Sequence, residues 1–129
     1  MTAEFQTIPV RVYDREKHIV LAAPLPGLEA ENISISIMGN KIVIMGEERG
    51  PRQHGTDVIL SEWSIGPYYR EVSLQQAINA PLTNATYGNG VLVLFMPKAV
   101  EKNEAKSEVS FKLQPITATR GEWIGHLGS

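Results

Sequence analysis

Asn84-Ala-Thr-Tyr-Gly-Asn-Gly-Val-Leu-Val-Leu-Phe-Met-Pro97 decides how the rest of the chain is read. Asn89-Gly90 is the strongest two-residue hairpin signal, because both residues tolerate the positive φ of a tight primed turn. Val91 to Met96 is an unbroken apolar run, and Pro97 ends the strand because it cannot donate to a ladder. Val91, Val93 and Phe95 fall on one side of such a strand, and Leu92, Leu94 and Met96 on the other. Both sides therefore need cover. One side is the domain's own core. The other needs a second sheet, a tail or a partner chain.

Working back towards the N-terminus, the same alternation recurs. Residues 8–13 read as one strand, with Ile8, Val10 and Val12 on one side and its edge blunted by Pro9. Residues 18–25 read as the next, stopped by Pro24-Leu-Pro-Gly27. A short helical turn over residues 28–32 leads into Ile33-Ser-Ile-Ser-Ile37, a half-buried strand by its period of two. Gly39-Asn40 is a second two-residue hairpin loop. Residues 41–46 return as a strand apolar on both faces, with Ile42 and Ile44 against Val43 and Met45. A polar loop follows, with a small strand candidate at Val58-Ile59-Leu60. Residues 68–74 then alternate Tyr68, Arg70, Val72 and Leu74 against Tyr69, Glu71 and Ser73. About eight short strands with a turn every ~8–12 residues and no long helix predict an antiparallel β-sandwich.

Beyond Pro97 the composition shifts. Residues 98–108 are charged and read as a flexible extension. Val109, Phe111 and Leu113 then alternate with polar residues until Pro115, and Trp123-Ile124 stands as an apolar pair near the end. The expected organisation is a short arm (1–7), one domain (8–98) and an extended C-terminal tail (99–129).

Composition narrows the function classes. A chain of 129 residues is long enough for one core without staples. It has no cysteine, which removes disulfides, thiol catalysis and thiolate zinc sites. The net charge of −2 is spread along the chain, with no nucleic-acid footprint and no basic membrane patch. No apolar run is long enough to span a bilayer, and no leader pattern opens the chain. A soluble cytoplasmic protein is the expectation, binding neither nucleic acid nor membrane.

Catalytic chemistry has little to stand on. His18, His54 and His126 lack ligand spacing, and His54 with Asp57 sits on a Gly-rich loop with no nucleophile nearby. Glu47-Glu48 and the pair Glu29 and Glu31 lie at strand ends and turns, where nothing asks for a general acid and base. Gly88-Asn89-Gly90 precedes a strand rather than a helix, so it is no phosphate cradle. Trp63, Tyr68 and Tyr69 could stack a sugar or a base, but packing inside a sandwich accounts for them more simply. The expectation is a protein that is not an enzyme and needs no metal or cofactor.

Ala85-x-x-x-Asn89-Gly90-Val91-Leu92, followed by Met96-Pro97-Lys98, resembles the signature of the small heat-shock proteins, the alpha-crystallin domain family. Pro26-Gly27-Leu28-x-x-x-Asn32-Ile33 is similar to another stretch of that family, and the resemblance covers roughly residues 10–98. It implies an immunoglobulin-like antiparallel sandwich. It also implies a groove between the Ile33–Ile37 strand and the strand before the Asn-Gly turn, which accepts a tail motif of the form Ile-x-Ile. Here that groove would be lined by Ile33, Ile35 and Ile37, with Ala85, Tyr87, Val91 and Leu92 nearby. Phe111-Lys112-Leu113 is the closest tail match, with a bulkier Phe in place of Ile, and residues 116–118 are a weaker one. A strand packed on its own domain explains Phe111 and Leu113 equally well.

The resemblance further implies a dimer in which loop 49–67 is exchanged between protomers. Val58, Ile59 and Leu60 would add to the partner's sheet edge, and Arg70 would make an interface ion pair with an acid such as Glu62 or Glu71. About seven residues precede the first strand, where the family carries a long apolar arm. That predicts either a domain cut from a longer protein or a minimal member, dimeric or a small oligomer, with reduced client capacity. The function implied is an ATP-independent holdase of the stress response, binding partly unfolded client proteins. A p23-like adaptor or co-chaperone module of the same sandwich type is the alternative.

Overall fold

The computed structural model describes residues 5–47, 59, 60, 62 and 66–113. Nine strands form two sheets. The first has the order β1 (Gln6–Thr7), β6 (Tyr68–Ser73), β5 (Lys41–Gly46), β4 (Ile33–Met38), β9 (Glu108–Lys112). The second has the order β2 (Arg11–Asp14), β3 (His18–Pro24), β8 (Val91–Pro97), β7 (Asn84–Gly88). Every strand pair is antiparallel except β1 with β6, which run parallel from Gln6 opposite Tyr68.

The deciding hairpin forms as its chemistry requires. Gly88 pairs with Val91 across a two-residue turn, and Asn89 and Gly90 both take positive φ, 53° and 79°. Period two then sorts β8. Leu92, Leu94 and Met96 are fully buried between the sheets, together with Leu21, Ile33, Ile35, Ile37, Ile42 and Ile44. Val91, Val93 and Phe95 face outward, with Val91 39 % and Phe95 37 % exposed. The inner face thus has its cover, while on the outer one the His18 ring stacks on Phe95 and Val91 stays part-exposed.

The run expected as one strand over residues 8–13 is instead broken in two. β1 belongs to the first sheet and β2 to the second, and Ile8-Pro9-Val10 crosses between them. Pro9 cannot join a ladder, and it holds the residue before it extended. Ile8 is fully buried at the crossing, and Arg70 Nη1 donates to its carbonyl at 2.8 Å. Period two in the sequence was the same whether the chain stayed in one sheet or changed sheets.

The small strand candidate at 58–60 lies partly outside the described residues, which exclude Val58. Ile59 and Leu60 belong to no strand within the chain and are 99 % and 74 % exposed.

The chain continues past residue 98 as packed structure. Lys98 N–H donates to Lys17 O, and its ammonium meets Asp14 at 2.7 Å. A single turn of helix, α1 (Lys102–Ala105), is closed by a capping box between Glu101 and Glu104. Ser107 then ties the start of β9 to the domain. Its carbonyl accepts from Gly39 N–H, and its Oγ accepts from Ala80 N–H.

Candidate functional site

β4 and β7 lie on the same side of the sandwich, β4 in the first sheet and β7 at the edge of the second. The gap between them is a groove, and β9 runs along its β4 wall. Ile35 stands opposite Phe111 and Ile37 opposite Val109, so Val109, Phe111 and Leu113 share the inward side of β4. Leu113 is 1 % exposed and its N–H donates to Ile33 O at 3.2 Å. Phe111 and Val109 are half-buried against the core. Two residues on, Pro115 has no N–H to donate to a ladder.

Tyr87 closes the groove at the hairpin end. Its hydroxyl donates to Leu25 O at 2.6 Å and lies 3.1 Å from Leu28 O. Burial pushes the phenol pKa above its ordinary value. On the outer side of the same strand pair, Ser36 Oγ and Ser110 Oγ are 2.5 Å apart. They form the rim of a shallow trough lined also by Ser34, Val43 and Met45.

The residues expected to line this groove divide. Ile33, Ile35, Ile37, Ala85 and Leu92 are brought together, but as fully buried core that forms its floor. Tyr87 is at its mouth. Val91 does not join them. It alternates with Leu92 and therefore lies on the outer face of the second sheet, 39 % exposed. The expected tail motif, Phe111 and Leu113, occupies the groove of its own chain.

The opposite side of the sandwich holds a second opening between β2 and β6, lined by Val12, Ile19, Val72 and Leu74. Val12 is 40 % exposed there, and the outer edge of β2 has no partner among the described residues. Arg70 lies on this side through its bond to Ile8. Glu71, one of its two expected partners, pairs with Lys41 at 3.3 Å instead. Leu25, Leu28, Ser107 and the Ser36–Ser110 pair were not singled out from sequence. Their roles arise from contacts far apart in the chain that no local spacing marks.

Among the described residues no group of three or more His, Asp or Glu could hold a metal, and no helix is long and apolar enough to cross a membrane. The Hsp20/alpha crystallin family model matches residues 11–112. The chain belongs to this family. It is 31 % identical to the probable 15 kDa heat shock protein of Leptospira interrogans, over 77 % of this chain and 78 % of that one. It is 26 % identical to heat shock protein 16 of Schizosaccharomyces pombe, over 80 % and 73 %. Among solved structures, heat shock protein 16.0 of S. pombe aligns with a TM-score of 0.65 at 22 % identity, covering 75 % of this chain and 70 % of that one. A small heat-shock protein of Xylella fastidiosa, described as having a distinct high order structure, aligns at 0.63 and 22 % identity, over 92 % and 100 %. Two sheets with almost no helix are the family's alpha-crystallin sandwich, and membership places the chain among the small heat-shock proteins.

Proposed function

We propose that this protein is an ATP-independent holdase that self-associates and binds partly unfolded proteins through extended apolar segments. The observation that carries the reading is β9 in the β4–β7 groove. An extended segment with apolar residues at alternate positions is held there by five consecutive residue pairs and by side-chain burial. That is recognition by strand addition plus pocket filling, which needs a suitable segment rather than a particular sequence. Burying apolar surface is favourable by itself, at roughly 25 cal/mol per Å2. The reading therefore requires no nucleotide and no cofactor.

Self-association is proposed through exchange of loop 49–67, with the segment at Ile59 and Leu60 added to the open edge of a partner's β2. Support comes from the exposure of both side chains, since burying each is worth about 1.5–3 kcal/mol. The unpaired backbone of β2 supplies the complementary edge. A cytoplasmic setting is part of the same reading and rests on the cysteine-free composition.

The test is light scattering of a heat- or reduction-stressed client, with the protein titrated in and no nucleotide present. Dose-dependent suppression is expected. No suppression at several-fold excess, with the protein folded by circular dichroism, overturns the holdase reading in favour of an adaptor that docks one folded partner.

A further inference from the structure

The outer face of the second sheet carries an apolar strip along β3 and β8, part-exposed along its length. Val20 lies opposite Phe95 and Ala22 opposite Val93, all on that face. One end of the strip is closed by His18, whose ring stacks on Phe95 at 3.9 Å. The other end opens at Pro24 and Val91. The flanks carry polar groups: Asn84 and Thr86 of β7 lie beside Phe95 and Val93, and on β2 Arg11 lies beside Ala22 and the part-exposed Tyr13 beside Val20.

We infer that the C-terminal segment of the same chain, anchored by Trp123 and Leu127, covers this strip. Its size argues for a single segment. The strip is about 20 Å long (β8 at ~3.3 Å per residue) and two strands, about 10 Å, wide. That is roughly 200 Å2, against the ~800 Å2 per partner that a stable two-chain interface buries. A second sandwich laid on this face would also desolvate the polar flanks.

The exit point of the chain argues for its own tail. Leu113 leaves β9 bonded to Ile33, and Ile33 pairs with Gly46. Gly46 sits against Leu25 and Leu28, and Leu25 N–H donates to Gly90 O. The chain therefore departs at the end of the sandwich where the strip opens at Val91. Pro115 has no N–H with which to extend the ladder along β4. Ten residues separate Leu113 from Trp123, an extended reach of about 33 Å. That is enough to round the edge of β7 and run down the strip. Trp123 and Leu127 are four apart, so they share one side whether the segment is extended or helical. An indole is also the side chain that gains most from a flat apolar floor with a wet rim.

The full chain carrying Trp63→Phe tests this, because Trp123 is then the only indole. Its emission should be blue-shifted, and its acrylamide quenching at least threefold weaker than in the urea-unfolded chain. Adding Val93→Ser with Phe95→Ser should restore the quenching of a free indole. A Trp123 quenched as readily as in urea overturns the proposal. So does one that stays shielded in the double variant, or one exposed merely by diluting the protein, which would assign the cover to a second copy. Methyl NMR gives an arm free of substitutions in the fold. Deleting residues 119–129 should shift the methyls of Val20 and Val93 and leave those of Val43, on the other sheet, unmoved. Unshifted Val93 methyls overturn the proposal.

Discussion

Ser36→Cys with Ser110→Cys converts the seating of β9 into a covalent readout. The two serines are directly opposite in register, on the solvent side of β4 and β9, with their oxygens 2.5 Å apart. Opposed residues of an antiparallel pair have Cα atoms about 4.5 or 5.5 Å apart, inside the range of about 4.4–6.8 Å that a disulfide spans. The chain has no other thiol to compete. The bond would close a loop across 74 positions. In the chain-entropy picture such a loop lowers the entropy of the unfolded chain by an amount worth about 4 kcal/mol at 25 °C. For a chain of this size that raises the midpoint of thermal unfolding by about 10–20 °C. The assay is mild oxidation of dilute protein, then a non-reducing gel and thermal unfolding with and without reductant. An intramolecular bond and a reductant-sensitive gain in stability are expected. Covalent dimers and larger species as the main product would show that β9 sits on a neighbour's β4. Thiols that stay free would show that it does not sit on β4 at all. Either result refutes the placement.

Three further substitutions test separate parts of the structure. Thr83 is fully buried and its hydroxyl has no partner, so Thr83→Val should be neutral or stabilising by up to about 1 kcal/mol in urea unfolding; a loss above that would show a hidden partner for the hydroxyl. Tyr87→Phe removes the donor to the Leu25 carbonyl and should cost about 1 kcal/mol at neutral pH. Because the folded phenol titrates above its ordinary value, folding is favoured while it is protonated, and that contribution is lost as pH rises through the folded pKa. The parent should therefore lose more stability than the Phe variant as the pH rises above about 10; parallel pH profiles would refute this. Arg70→Ala leaves the buried Ile8 carbonyl without its cationic donor and should cost about 1.5–3 kcal/mol in the isolated protomer. A change in native mass with unchanged protomer stability would instead move Arg70 to the interface.

Where the sequence could be read, a single local rule was enough. Asn89-Gly90 and Gly39-Asn40 each name a two-residue turn by their backbone tolerance, and the turns form with Gly88 opposite Val91 and Met38 opposite Lys41. Ile33, Ile35 and Ile37 alternate with serines, and all three are buried. The difficulties arose where a rule holds for two arrangements. Residues 8–13 keep their period across a change of sheet, and only Ile8 filling the crossing reveals it. Val109, Phe111 and Leu113 require cover on one side, but which edge supplies it depends on contacts such as Ser107 with Gly39 and Ala80. The groove list placed Val91 beside Leu92 because they adjoin in sequence, yet in a strand adjoining residues belong to opposite faces.

The topology also says where association should concentrate. The first and last described strands both join the first sheet, β1 on the β6 side and β9 on the β4 side. The second sheet receives neither. Its edge strands, β2 and β7, each have one partner among the described residues, and its outer face keeps the apolar residues that β8 needs for its own propensity. An unpaired edge is the feature that folded chains otherwise blunt with charge or proline. Here Pro9 and the charged ends of β2 blunt only part of one edge. Substitutions that weaken association should therefore fall along the open edge of β2, while equal substitutions on the outer face of β5 and β6 should leave it unchanged. A native mass that responds instead to Met45 or Tyr69, on that other face, would contradict the assignment.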